Sequence, residues 1–147
     1  MIRIECEQGT EKWHETRYRK MGGSTSKQLF IKTDTLLFDM VSRVLEDFED
    51  VESFTSSDMD RGNELEPYAR KETSKYVGVN FKEVGWLQCE EIDIIGISPD
   101  GITDDNKFSC ELKCPARKRH TETIIKNEIP KDNIHQCNNG NYFCINL

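Results

Sequence analysis

No apolar run in this chain approaches the roughly 20 residues that span a bilayer. With 35% hydrophobic and 32% charged residues, the composition is that of a soluble protein, and no membrane partner is expected. The start, Met1-Ile2-Arg3-Ile4-Glu5-Cys6, runs into charged residues without the apolar core and small-residue cleavage site of a secretory signal. That absence points to an intracellular protein, in the cytoplasm or nucleus of its cell. No Cys-x-x-Cys pair occurs among Cys6, Cys89, Cys110, Cys114, Cys137 and Cys144, which argues against a zinc ribbon. Without an export signal, a reducing compartment keeps such cysteines as thiols. Neither an internal repeat nor a low-complexity tract is visible. Residues 1–147 therefore read as a single domain with one active site.

Positive charge does not balance negative: 20 Lys and Arg stand against 27 Asp and Glu. The formal net charge of −7 excludes a generic nucleic-acid coat protein, whose affinity comes from Lys and Arg meeting phosphates. The deficit is local, however. Residues 34–66 hold eleven acids against Arg43 and Arg61, a balance of −9, so the rest of the chain sums to +2. Basic residues bunch at Arg117-Lys118-Arg119. A basic patch on an acidic body suits an enzyme that holds DNA at one mouth and also binds a cation.

The pattern along the chain predicts helices first. Thr10 can cap a helix over 11–19, with Trp13 and Arg17 one turn apart on the same face. Asp34 can cap a second, in which Leu37, Met40, Val41, Val44, Leu45 and Phe48 recur at the spacing of one buried face. Residues 49–60 read as an acidic, exposed loop. A third helix is expected from Glu64 to Tyr76, with Leu65, Ala69, Thr73 and Tyr76 on one side and Asn63 as N-cap, which leaves Pro67 near the first turn. From Val79 the pattern changes to strands at 79–88, 92–97 and 108–114, with a turn from Asp100 through Asn106. A last helix covers 120–128, closed by Pro130. Helices, a meander of strands and a helix again read as an α/β fold built on one central mixed sheet flanked by helices.

Cleaving a phosphodiester at neutral pH calls for a divalent cation, and hard cations of that kind take oxygen ligands. Glu111 and Lys113 sit two apart in a predicted strand and so share a face, their α-carbons about 6.6 Å apart. The turn after the preceding strand lets Asp100 sit beside Glu111, where one cation could bridge them. Taken singly, a Glu-x-Lys on a strand is commonly a solvated pair and an Asp-Gly a hairpin turn. Here Cys110, Leu112 and Cys114 form the apolar alternate face, so the charged pair is directed at one place.

At this point the residues resemble a known family. Ser98-Pro99-Asp100-Gly101 followed by Glu111-Leu112-Lys113-Cys114-Pro115 is similar to the signature of the lambda exonuclease and YqaJ-type viral recombinase family of PD-(D/E)XK nucleases. Upstream, Gln8-Gly9-Thr10 with Trp13 and Arg17, Gly22-Gly23-Ser24, and Arg61-Gly62-Asn63-Glu64-Leu65-Glu66-Pro67 with Ala69-Arg70 resemble that family's other blocks, in order, across roughly residues 8–136. The resemblance implies a restriction-endonuclease-like core. It makes Asp100 and Glu111, with the Leu112 carbonyl, ligands of catalytic Mg2+, with Mn2+ suited to the same oxygens. It makes Lys113 the group that orients or deprotonates the attacking water, a role favoured by a depressed ammonium pKa. Glu66 joins the same site or serves as capping-box partner to Asn63, three residues before it. Gln136 would close the site. Arg17, Ser24 and Ser98 correspond to a terminal-phosphate pocket; their local alternatives are stacking on Trp13, a helix cap and a turn hydrogen bond. His14 and His135 are incidental. Some related nucleases hold an iron–sulfur cluster on cysteines, but the spacing of Cys110, Cys114, Cys137 and Cys144 matches no such ligand run.

The implied activity is a metal-dependent exodeoxyribonuclease acting on double-stranded DNA ends from the 5′ side, giving 3′ single-stranded tails for a viral single-strand annealing protein. Members of the family normally continue past the glutamine with a helix and further strands, whereas this chain reads Asn138-Asn139-Gly140-Asn141 there, which is turn chemistry. The domain is thus expected to be shortened at its C-terminus, which puts the family's trimer in question. It also leaves two further readings open: an inactive DNA-end-binding or protein-interaction module, and a structure- or site-specific endonuclease.

Overall fold

The computed structural model of the chain describes residues 1–25, 28, 31, 34–49, 56–131, 133–134 and 142–146. The chain forms two compact units, one of residues 1–52 and 84–98, the other of residues 53–83 and 99–147.

In the first unit an antiparallel sheet orders β1 (Ile2–Ile4), β2 (Trp86–Gln88) and β3 (Gly96–Ile97), with Ile4 opposite Trp86 and Leu87 opposite Ile97. Trp86 and Leu87 are 0% and 1% exposed and form its centre. Gly96 is required there, since a Cβ would stand 2.3 Å from the Trp86 ring. Helix α1 (Glu11–Arg17) starts as expected at Thr10, whose hydroxyl accepts from the Trp13 amide at 3.4 Å. A short 3-10 turn follows at Gly23–Thr25.

Helix α2 (Asp34–Leu45) forms where periodicity placed it, but with a different face inward. Leu36 is buried, at 5% exposure, while Leu37, Val41, Val44 and Leu45 of the expected stripe are exposed. Polar tethers account for the rotation. Arg43 donates to the Tyr18 carbonyl at 3.2 Å and pairs with Asp39 at 2.9 Å. Arg19 donates to the carbonyls of Arg43 and Glu46 at 2.9 and 2.8 Å. Phe48 does pack, edge-on against Tyr18 with ring centroids 5.4 Å apart.

In the second unit the long helix α3 (Ser57–Val77) starts at Ser56, whose hydroxyl accepts from the Met59 amide, and ends at the left-handed Gly78. The expected start at Asn63 is therefore corrected, and Pro67 lies inside the helix. Asp58 and Asp60 in the first turn complement the helix dipole and help it begin early. Residues 50–55 of the expected loop lie outside the described residues. Ala69 and Thr73 are buried as expected, but Tyr76 is exposed, and half-buried Val77 continues the inward stripe.

The mixed sheet of this unit places β5 (Ser109–Lys113) between β4 (Gly101–Ile102), antiparallel, and β6 (Tyr142–Asn146), parallel. Its core is Ala69, Phe81, Cys110 and Leu112. The strand expected over 79–88 is split, because the chain passes from one unit to the other at residues 83 and 84. Only 86–88 is a strand, and Lys82 makes a single bridge to Ile102. The expected strand at 92–97 contracts to β3, and a turn closes from the Ile95 amide to the Ile92 carbonyl. The turn expected at 100–106 shifts to 103–106, since Gly101 and Ile102 pair with β5. Helix α4 (Arg117–Lys126) begins three residues earlier than expected and ends at left-handed Asn127. The cysteines Cys6, Cys89, Cys110 and Cys114 are free thiols.

Candidate active site

The second unit gathers the predicted carboxylates. The period-2 geometry of β5 sets Glu111 and Lys113 on one face, and the Lys113 ammonium donates to Glu111 Oε1 at 2.5 Å. Gly101 lies opposite Cys110, so Asp100, one residue earlier, meets the Glu111–Leu112 end of the strand. Its Oδ2 accepts the Leu112 amide at 2.6 Å. The resemblance implied a role for the Leu112 carbonyl; what the structure contributes from Leu112 is this N–H. Glu66 comes from the middle of α3. With Asn63 inside the helix the capping-box reading falls, and Glu66 instead pairs with Arg70 at 2.5 Å. Glu66, Asp100, Leu112, Lys113 and Arg119 line one cavity of about 530 Å³.

Charge in this cavity is poorly compensated. Burial, then the neighbouring Glu111 and Glu66, push the Asp100 carboxyl up to about 7, against the Leu112 amide and Lys113, which favour its ionised form. Glu66 is likewise raised by burial, with Arg70 opposing. Cys110, behind the strand, is pushed up to about 12, by burial first and then by Asp100. Among the described residues no three His, Cys, Asp or Glu side chains are already grouped as a metal cage. The donor set nonetheless fits a hard divalent cation: it is all oxygen, it is anionic, and burial with neighbouring carboxylates outweighs the positive groups at the half-buried Asp100.

The first unit holds the other group. The Arg17 guanidinium lies 3.8 Å over the Trp13 ring and 5.9 Å from that of Trp86. Among the described residues it has no carboxylate partner, and burial, then Arg43, lower its pKa. The Trp13 indole donates to Ser98 Oγ and to the Gly85 carbonyl, both at 2.9 Å, so one aromatic side chain links Arg17 to Ser98. The Ser98 hydroxyl itself donates to Gly85. Ser24 is exposed on the 3-10 turn. A Cβ at Gly22, just before that turn, would meet Trp86 at 3.6 Å and Arg17 Nη2 at 3.9 Å, which places the turn beside the guanidinium. Gln136 and His135 lie outside the described residues.

Three residues of these sites stand in the blocks that resemble the family, but their contacts escape a reading of the sequence. Trp13 had a signal as a stacking partner but none for its bond to Ser98, 85 positions away. Arg61 donates to the carbonyls of Cys114 and Pro115 at 3.0 and 3.2 Å, holding the exit of the catalytic strand. Arg70 contacts both Glu66 and Asp100; its spacing of four from Glu66 is the available hint.

Comparison with known proteins bears on the family and the fold. The YqaJ-like viral recombinase domain matches over residues 12–140. The crystal structure of LHK-Exo in complex with dAMP superposes with a TM-score of 0.75 at 28% identity, covering 89% of this chain and 67% of that one. The crystal structure of an alkaline exonuclease, LHK-Exo from Laribacter hongkongensis, gives 0.76 at 26% identity, covering 93% and 74%. No curated protein matches. The fold is the restriction-endonuclease-like α/β fold of these structures. Since the family match takes in most of the sequence, the chain belongs to the YqaJ-like viral recombinase domain family.

Proposed function

We propose that this nuclease domain is a metal-dependent exodeoxyribonuclease that removes nucleotides from the 5′ end of duplex DNA, leaving a 3′ single strand for a viral annealing partner. The observation that carries the reading is the convergence of Glu66, Asp100 and Lys113 on one cavity, with Glu111 bonded to the Lys113 ammonium beside it. Bound there by Asp100 and Glu111, a divalent cation, Mg2+ or Mn2+, would offset charge on the phosphate and make water a nucleophile at neutral pH. Lys113, held against Glu111, would orient that water. Arg17, half-buried over the Trp13 ring and without a carboxylate partner among the described residues, would supply a positive group for a terminal phosphate. That LHK-Exo has been crystallised with dAMP, a mononucleotide of the kind stepwise hydrolysis releases, supports an exonucleolytic reading.

The test is release of acid-soluble nucleotides from linear duplex DNA, 5′-phosphorylated against unphosphorylated, with magnesium and with chelator. The expected result is metal-dependent release that favours the phosphorylated end. Binding of such ends without turnover in either metal would leave an inactive end-binding module, and cutting of closed circles would move the reading to an endonuclease.

A further inference from the structure

Arg70 bonds two of the residues that line the carboxylate cavity, Glu66 and Asp100, and the proposed reaction gives it no part. It sits one helical turn after Glu66 on α3, with its side chain 12% exposed. Its guanidinium reaches three acceptors: Nη2 to Glu66 Oε1 at 2.5 Å, Nε to the Asp100 carbonyl at 2.5 Å, and Nη1 to Glu83 Oε2 at 3.2 Å. Two of these three belong to the residues proposed to meet the cation, one on the helix and one on the strand. The stem is confined as well, because a Cβ at Gly101 would come within 3.5 Å of Arg70 Cγ.

We propose that Arg70 is a positioning residue that joins the Glu66 carboxylate on α3 to the backbone of Asp100 just before β4, and that it presents Glu66 to the site chiefly through its other oxygen. With Oε1 engaged by the guanidinium, Oε2 is the oxygen better placed for a cation or a water. With the Asp100 carbonyl bonded to the same group, the backbone that carries the Asp100 carboxylate is fixed relative to Glu66. A planar fork with donors in several directions can meet these acceptors together, and a lysine ammonium on its flexible stem cannot hold the same geometry. The bond also supplies a positive charge beside carboxylates that otherwise repel one another. The proposal rests on the nuclease reading of the cavity.

The test uses the whole chain as wild type, E66Q, R70Q, E66Q/R70Q and R70K, with turnover, Mn2+ binding by electron paramagnetic resonance, and urea unfolding in chelator as separate readouts. In R70Q, kcat is expected to fall about 10- to 100-fold, as for other residues that orient ligands, with KM for DNA ends changed less than about threefold. Mn2+ affinity should hold or tighten, because a cation competing for Glu66 has gone. The double variant should lose much less than the product of the single losses, in turnover and in unfolding alike. R70K should recover stability but not kcat; if R70Q does not fold, R70K carries this comparison. Losses that multiply, a kcat within about twofold of wild type in R70Q or R70K, or Mn2+ affinity falling in step with kcat would each overturn the role. A wild type that binds Mn2+ but cuts no DNA would remove the nuclease reading, leaving Arg70's link to Glu66 to be decided by the unfolding cycle. A wild type without Mn2+ affinity would remove both.

Discussion

Lys113 and Asp100 show how far single residues can be reasoned. Lys113 closes β5 with its ammonium 2.5 Å from Glu111, so K113A removes the group proposed to orient the attacking water and also frees the Glu111 carboxylate proposed to hold the cation. DNA cleavage should fall by about 10²- to 10⁴-fold while Mn2+ binding persists; undiminished cleavage would take Lys113 out of the chemistry. Asp100 allows a pH prediction. Its folded pKa, raised by burial and then by Glu111 from 3.8 to about 7, means that the metal-free native protein holds a proton the unfolded chain has lost. This contribution to stability is complete below about pH 4 and is lost as pH rises through about 7. D100N cannot ionise. In chelator, its stability relative to wild type should therefore grow between pH 4 and pH 8 in urea unfolding, and curves that stay parallel would count against the buried charge. Asp100, Glu111 and Lys113 were legible in the sequence because strand periodicity and one short turn fix their meeting. Arg70 was not, because its acceptors on Glu83 and Asp100 lie 13 and 30 positions away.

Elements were legible where local chemistry decides them and not where tertiary contacts do. Thr10 caps α1, and the alternation around Leu112 marks β5, both from neighbours in sequence. The facing of α2 depends on Arg43 reaching Tyr18, which periodicity does not encode. The start of α3 was misplaced by treating Pro67 as a boundary, though Ser56 gives an earlier cap. Inside the helix, Pro67 has no N–H to offer the Asn63 carbonyl four residues back, and Asn63 and Glu66 both line the carboxylate cavity. P67A restores the missing donor and removes the ring. It should stabilise the protein by about 1–3 kcal/mol, toward the interior proline penalty, as measured by urea unfolding. A loss of stability would show that the helix has adapted its packing to the ring, and a gain coupled to slower turnover would tie the proline to the placing of Glu66.

At the scale of the molecule the decisive quantity is charge. A chain of net −7 has little general attraction for a polyanion, and its acids concentrate between residues 34 and 66. Its positive groups suited to a DNA backbone are few and placed at α4, whose first turn carries Arg117, Lys118 and Arg119, with Arg119 on the wall of the carboxylate cavity. Basic side chains at a helix N-terminus oppose the dipole, a cost that a bound anion relieves. Three phosphate contacts of this kind give a slope of log affinity against log salt of about −3. Binding of duplex ends should follow that slope, measured by fluorescence anisotropy in chelator so that cleavage does not interfere. R117A/R119A should flatten it to about −1 without shifting the preference for a phosphorylated end that is proposed for Arg17. A slope near −8 would mean that DNA meets many more basic residues than the α4 cluster, and the picture of an acidic body gripping DNA at one mouth would then have to be abandoned.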